Sequence, residues 1–465
     1  MSGTSLKPRS FDHTVEEARL LERADELLGL AQAAGADQAE VCAVRAESVG
    51  VRFEQGDLKL TTVDEGTTLG LRVLRGKSQG FASTNQSDAD SLRTIAADAN
   101  SLAAISPPDD ANVFPSPPPV ETSLDLTTAG VAELPIGEIV ECARELVSRT
   151  LAIDPRISID KASLDVQRTS MVVRSSHGVR ASESDAVIGL SLFGMAVDGD
   201  DVGGFDYWGD TVRDLGRLDE HMEETIQRFS RSVLGNLAAG AAETYHGPVL
   251  FSPAAFLDIF ISPLVSAASA VAVQRGRSPL AGKLGESVAH ESLTITDDPF
   301  DRRLAGAASF DREGVPTRRF PLLEAGVLTG LLYNGYAAAV EGRESTGHAT
   351  GGARSVPGLG CHALSVAPGH GGDPDELRRL LDRGLLVQRF SGSVDPASGD
   401  FSGVAKSARW VEGGEEQRPV RETLFSGNAF ELLGRVLALS STSEVVMGSA
   451  IAPWALIDDV SVTAG

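Results

Sequence analysis

Apolar residues recur every three or four positions over residues 14–34 (TVEEARLLERADELLGLAQAA), which predicts an amphipathic helix. Thr14, followed three residues later by Glu17, reads as a capping box at its start. The period then changes from 3.6 to 2. AEVCAVRAESVGVRFEQGDLKL and TTLGLRVLRGKSQGFAST alternate apolar and polar residues, with turns at Gln55-Gly56-Asp57 and Asp64-Glu65-Gly66, so an antiparallel meander is expected. Residues 88–104 return to helical spacing. The stretch ISPPDDANVFPSPPP, 105–119, holds six prolines and reads as a linker or a long surface crossing. A second round follows, with a helix over 136–152, a meander over 157–210 and a helix over 217–238. The run 171–193 echoes 51–73 in its order of strand, glycine turn and strand, at an identity too low for a true duplication.

The pattern changes near 240. ETYHGPVLFSP is a strand ending in Ser252-Pro253, a good helix start because proline at the first helical position loses no hydrogen bond. The pair recurs at Ser262-Pro263, inside the next apolar run. Proline in a helix interior costs ~3 kcal/mol, so 253–275 is expected to form two helices or one kinked helix. The remainder reads mainly as strands: SLTITDD, TRRFPLLEAGVLTGLLYN, HALSVAP, LLVQRFSG, KSARWVEGG, VRETLF and the final ALIDDVSVTAG. Short helices are expected at 335–341, 374–383 and 428–437. The expected class is α+β. Residues 1–104 form a first region of antiparallel meander with helices, and 105–119 the Pro-rich linker. A second meander region, 120–239, packs with the first, and 240–465 forms a mainly antiparallel β domain with short helices.

Charge and cysteine usage narrow the function classes. With 65 acids against 41 bases, the net charge of −24 argues against nucleic acid as a partner, because phosphate binding needs clustered Lys and Arg. The longest apolar run, Phe256 to Val273, is broken by Asp258, Pro263 and several serines, too short a stretch to span a bilayer. MSGTSLKPRSFDHTVEEARL lacks the apolar core of a signal peptide. Cys42, Cys142 and Cys361 have no ligand or disulfide spacing and read as reduced thiols. Together these features imply a cytoplasmic protein with no membrane partner.

Candidate chemistry is sparse. None of the eight histidines lies three, four or five residues from another, so a helix-borne zinc motif is absent. His348, His362 and His370, with Cys361, could converge from loops; the other reading is polar histidines beside glycine-rich turns. There is no GxSxG nucleophile elbow. GSVDPASGDFSG, 392–403, reads as ordinary turns, and GHGGDPDE, 369–376, lacks the strand, helix and following Lys of a phosphate loop.

Four co-linear blocks carry more: PLAGKLGESVAHESLTITDDPFD, FDREGVPTRRFPLLEAGVLTGLLYNGYAAAVEGRESTGHA, SGSVDPASGDFSGVAKSARWVEGGE and PVRETLFSGNAFELLGRV, starting at 279, 310, 391 and 419. In order and spacing they resemble the TldE (PmbA) branch of the TldD/PmbA family, once called modulators of DNA gyrase. The resemblance is strong over 240–465 and weak before it. It implies a metallopeptidase acting on unfolded peptides or peptide precursors. A TldD-type subunit carries zinc there, and a TldE-type subunit has no metal and is not catalytic alone. In the TldD branch the metal helix bears His-Glu-x-x-x-His about twenty residues before the block equivalent to AGKLGE. Counting back here lands on Ile261, Ser262 and Ser266 at the positions of the first His, the Glu and the last His. The zinc branch also uses a cysteine near its C-terminus, and this chain has none after Cys361. The implied partner is a TldD-like subunit or a second copy of the chain, with a peptide as substrate.

The second block runs into GRESTGHATGGARS, 342–355. Its glycines expose backbone groups that an extended peptide can pair with. Arg343, Ser345, Thr346, Gly347, His348 and Arg354 are therefore candidates for a substrate or interface loop, with Arg343 or Arg354 holding a peptide carboxylate. The alternative is a helix exit with Gly342 as C-cap and a mobile turn. Two rival functions stay open. One is a self-sufficient hydrolase using His348 or His362 with a nearby Asp, Ser or Cys361. The other is a binding protein with no proteolytic role.

Overall fold

In the computed structural model, which describes residues 11–120, 123–127 and 130–464, helix α1 runs His13–Ala33. Its N-cap is Asp12, whose carboxylate accepts the N–H groups of Thr14 and Val15. The expected Thr14 box does not form, because an aspartate two residues earlier caps at least as well as threonine. Glu17 instead accepts a hydrogen bond from Ser184. Leu20, Ala24, Leu27 and Ala31 form the buried stripe of α1.

The two meanders share one sheet. Its strands are β1 (Gln38–Glu54), β2 (Asp57–Arg75), β3 (Ser78–Thr84), β4 (Ile157–Ser175), β5 (Arg180–Asp198), β6 (Asp201–Val202) and β7 (Asp206–Val212). The order is β3-β2-β1-β4-β5, with β6 and β7 both on β5. The join is the antiparallel pairing of β1 with β4, from Glu40↔Ser175 to Glu54↔Lys161. Helices α1, α2 (Ala89–Ile105), α3 (Ile136–Ile153) and α4 (Leu218–Gly235) cover one face of this sheet. Val41, Ala43, Val49 and Val51 of β1 all point to it, as a period of 2 requires. The turn expected at Asp64-Glu65-Gly66 is absent. These residues lie within β2, opposite Ser48, Glu47 and Ala46, and the chain reverses at Gly76 instead. The long partner strand overrides the local turn preference.

The C-terminal region is built on a 13-stranded sheet. Strand β8 (Tyr245–Phe251) lies between the final strand, Ala450–Thr463, and Arg383–Val387. Most pairings are antiparallel, but Arg383–Val387 joins β8 in parallel and Leu364–Val366 joins the final strand in parallel. The helix expected over 428–437 ends early: Ala429–Leu432 and a single tight turn, Leu433–Arg435, give way to a strand over Val436–Val446.

After β8 comes the helical run with two Ser-Pro pairs. Ser252 caps it, its hydroxyl accepting the Ala255 N–H at 3.3 Å. The run is α-helical over Pro253–Phe256, widens to a π turn over Leu257–Ile261, and resumes as α-helix over Ser262–Ala267. Ser262 N–H bonds to Leu257 O, five residues back. The break expected at Pro263 thus takes the form of an inserted residue, which moves the preceding carbonyls away from the proline ring. Phe256, Phe260, Ile261 and Leu264 pack with Phe251, Phe401 and Phe425 in the main core. Among the described residues no helix is long and apolar enough to cross a membrane.

Candidate functional site

The junction of the two sheets is held by buried charge. Glu40 of β1 lies directly across from Arg72 of β2, on the face away from the helices. From the C-terminal region a tight loop sends Arg312 and Glu313 to meet them. Arg72 Nη2 lies 2.7 Å from Glu40 Oε2 and 2.7 Å from Glu313 Oε1, and Arg312 Nη1 lies 3.0 Å from Glu40 Oε1. Glu313 Oε2 accepts the Gly335 N–H at 2.6 Å, and Arg312 Nε donates to Gly352 O at 3.0 Å. Burial works against ionisation of Glu40, but the two guanidinium groups hold its carboxyl below the usual range. Asp311 is the opposite case. Burial and the neighbouring Glu313 carboxylate raise its carboxyl, although it accepts the N–H groups of Glu313, Val315 and Ala349.

The loop 342–355 is anchored to this network. Gly342 leaves the helix Gly335–Val340 at φ +63°, and Arg343 N–H closes back on Ala338 O. Thr346, Gly347 and His348 then turn inward. His348 Nδ1 bonds Thr346 Oγ1 at 2.8 Å, and His348 Nε2 lies 3.2 Å from Asp297 Oδ2 without hydrogen-bond alignment. The Asp297 carboxylate also accepts the N–H groups of His362 and Ala363, and His362 Nε2 donates to Gly347 O. Burial opposes the charge on Asp297, yet His348 and the His362 N–H hold its carboxyl below the ordinary range. Further along, Ala353 O sits where a Cβ on Gly70 would be, at 2.1 Å, so the loop rests directly on β2.

The structure therefore brings Ser345, Thr346, Gly347 and His348 into a clasp that ties the loop to the core. His348 is 1% exposed, and the Thr346 hydroxyl is engaged with the Tyr333 backbone. Both side chains are engaged within the chain. Arg343 and Arg354 stay outside on the surface, Arg343 beside Glu341 at 3.2 Å. His362 and Cys361 lie near the clasp, where burial raises the thiol and lowers the imidazole; His370 is exposed. Among the described residues no three His, Cys, Asp or Glu side chains are grouped as a metal site needs.

Beside the network opens a cavity of about 370 Å³. Arg72, Asn112, Ser269, Arg275, Asn334 and Tyr336 line it with residues 357–359. The Arg72 guanidinium lies 4.7 Å from the Phe114 ring of the Pro-rich stretch, and its Nε is buried with no acceptor in the protein. Asn112, Asn334 and Tyr336 donate within the chain, to Lys77 O, to Pro357 O and Gly358 O, and to Asp109; Ser269 and Arg275 on the same wall suit a ligand's carbonyl or carboxylate oxygens. Sequence reasoning missed Glu40, Arg72, Arg312, Glu313 and Asp297. A signal existed for two of them: Glu40 and Arg72 each interrupt an apolar strand, and a charge on a buried strand needs a partner.

The chain just after the helical run lines this cavity, at Ser269, Val271 and Arg275. Ile261 is fully buried in the core, while Ser262 and Ser266 are exposed, with Ser266 Oγ bonded to Ser262 O at 2.9 Å. These three side chains include no imidazole, thiolate or carboxylate, and they do not share one face. They do not fit a zinc ion.

Residues 244–464 match the model of the PmbA/TldA metallopeptidase C-terminal domain, and residues 39–103 match domain 1 of the same family. The chain is 27% identical to a metalloprotease PmbA homolog of Haemophilus influenzae, over 92% of this chain and 93% of that one. It is 25% identical to a metalloprotease TldD homolog of the same organism, over 85% of this chain and 84% of that one. The fold is similar to the crystal structure of TldE from Thermococcus kodakarensis, with a TM-score of 0.87, 24% identity, and coverage of 95% of this chain and 100% of that one. With both family domains matched in order and near full-length relatives, the chain belongs to the PmbA/TldD family.

Proposed function

We propose that this chain is a TldE-like subunit of a two-chain metallopeptidase, itself without metal, acting with a TldD-like partner on unfolded peptides or peptide precursors. One observation supports the reading: Ile261, Ser262 and Ser266, which the resemblance puts at the family's ligand positions, carry no imidazole, thiolate or carboxylate, and Ile261 is buried in the core. The cavity beside Arg72, with Ser269 and Arg275 on its wall, supports a role in holding peptide backbone. The burial of His348 and the engagement of Thr346 speak against a self-sufficient hydrolase at the loop.

The test is peptidase activity and zinc content, measured on the purified chain alone and after mixing with a TldD-like chain from the same source. The expected result is no zinc and no cleavage alone, with cleavage on mixing. Stoichiometric zinc and full cleavage by the chain alone would overturn the reading.

A further inference from the structure

Strand β7 pairs with β5 alone, and its other side borders a second cavity, of about 360 Å³, between the two sheets. This cavity shares no lining residue with the site described above. Four arginines line it, Arg228, Arg231, Arg389 and Arg409, in a chain whose net charge is −24. Three carboxylates face them, Asp206, Glu416 and Glu444. One positive charge is left over.

The pairings show where it resides. Arg389 is locked: it forms an ion pair with buried Asp206, its Cζ lies 3.9 Å from the Tyr207 ring centroid, and Asp206 is held in turn by the hydroxyls of Ser232 and Ser407. Arg228 is matched by Glu444 at 2.7 Å and by Glu224 at 2.8 Å, with Trp208 beneath it. Arg409 is matched only loosely. Its ion pair is with Glu416, whose Oε2 lies 3.7 Å from Nε, while Oε1 of the same carboxylate takes Arg378 at 3.3 Å. Among the described residues its side chain makes one hydrogen bond, to its neighbour's carbonyl, Ala408 O, at 3.2 Å. Gly235 backs it so closely that a Cβ there would lie 1.9 Å from Nη2. Burial makes its positive charge easier to lose than usual. Arg231 is exposed at the rim and forms no ion pair among the described residues.

We propose that this cavity is a carboxylate-binding subsite, with Arg409 as its inner donor and Arg231 as its rim donor, for a peptide that carries a free carboxylate. A guanidinium offers a planar fork of donors that a carboxylate matches with two parallel bonds. A single negative charge matches the excess of one arginine among the lining residues, whereas a phosphate dianion would exceed it beside Glu416 and Glu444. Trp208 and Trp454 flank the same space and give the adjoining residue an apolar surface. That the carboxylate belongs to a peptide rests on the proposed peptide-handling role.

The experiment is calorimetric titration of the full chain at low salt with three acetylated alanine tetrapeptides. One ends in a free acid, one in an amide, and one in an amide but with an internal glutamate. At least one carboxylate-bearing peptide is expected to bind about tenfold or more tightly than the neutral amide. Which one binds tells a terminal carboxylate from an acidic side chain. Arg409→Gln and Arg231→Gln should each remove that preference; Arg231 is on the surface, so its variant keeps the test open if the Arg409 variant does not fold. Equal affinity for all three peptides, tighter binding of inorganic phosphate, or an unchanged preference in a folded variant would each overturn the proposal. The assay reads binding to this chain alone, so its failure is separable from failure of the mixing assay.

Discussion

Arg72 satisfies two carboxylates at once, and neither has water as a substitute: Glu40 is 1% exposed and Glu313 is 1% exposed. Replacing it with methionine keeps the bulk but leaves buried negative charge with Arg312 alone to answer it. Breaking a buried pair in this way costs roughly 3–5 kcal/mol, so Arg72→Met should lower the free energy of unfolding by that much, read as a lower denaturant midpoint at unchanged slope. A loss below 1 kcal/mol would mean that the network contributes little beyond its own desolvation. Glu183 is a second exception, with the opposite sign. Its carboxyl, which accepts the N–H and hydroxyl of Ser309, is pushed up to about 7, first by burial and then by nearby Asp185. A carboxyl raised in the folded state binds protons that the unfolded chain releases, so its contribution is present at low pH. It is lost as pH rises from its ordinary value of 4.5 through about 7. Glu183→Gln keeps an acceptor for Ser309 and removes that loss. Its melting temperature should exceed the parent's by roughly 1–3 °C at pH 8 and match it at pH 5. The charges of Glu40 and Arg72 stand out within apolar strands, but Arg312 and Glu313 lie more than 200 residues further along, and no local pattern connects them.

At the level of elements, what local pattern decides was readable and what a distant partner decides was not. Each of α1 to α4 falls within a few residues of its 3.6-period stretch, and Ser252-Pro253 opens a helix as expected. The Asp64-Glu65-Gly66 turn and the end of the 428–437 helix were misread because strand partners override them: β1 holds β2 straight, and the final strand draws Val436–Val446 into the sheet. In the candidate loop, backbone freedom was legible but its purpose was not. Two glycines separate the causes. Gly342 has φ +63° and no atom within 4 Å of a would-be Cβ, so Gly342→Ala should cost only the left-handed strain, about 1 kcal/mol. Gly70 has an ordinary φ, but a Cβ there would meet Ala353 O at 2.1 Å. Gly70→Ala must push the loop off β2 and should destabilise by roughly 1–3 kcal/mol. Thermal melts of the two variants check the order; equal losses would show that loop and sheet are not in contact as described.

For the whole molecule, the decisive join is β1 with β4, which merges two meanders into one sheet across about 120 residues of sequence. The composition bears on a different property. A net charge of −24 makes the folded state repel itself, while the ion pairs among its exposed side chains attract. Both are screened, over a Debye length of about 10 Å at 0.1 M salt. Exposed pairs, such as Arg93–Asp90 and Arg144–Glu141, are worth about 0–1 kcal/mol each, so screening them loses little. Self-repulsion acts over the entire surface, and relieving it should win. The melting temperature is therefore expected to rise by a few degrees between low salt and about 0.3 M sodium chloride. The row of Arg312, Glu40, Arg72 and Glu313 is buried, so salt screens it far less than the surface pairs. Arg72→Met should show the same rise from a lower starting point. A melting temperature that falls with salt would place the balance with the surface pairs. A slope that changes in Arg72→Met would mean that the junction between the two sheets opens to solvent.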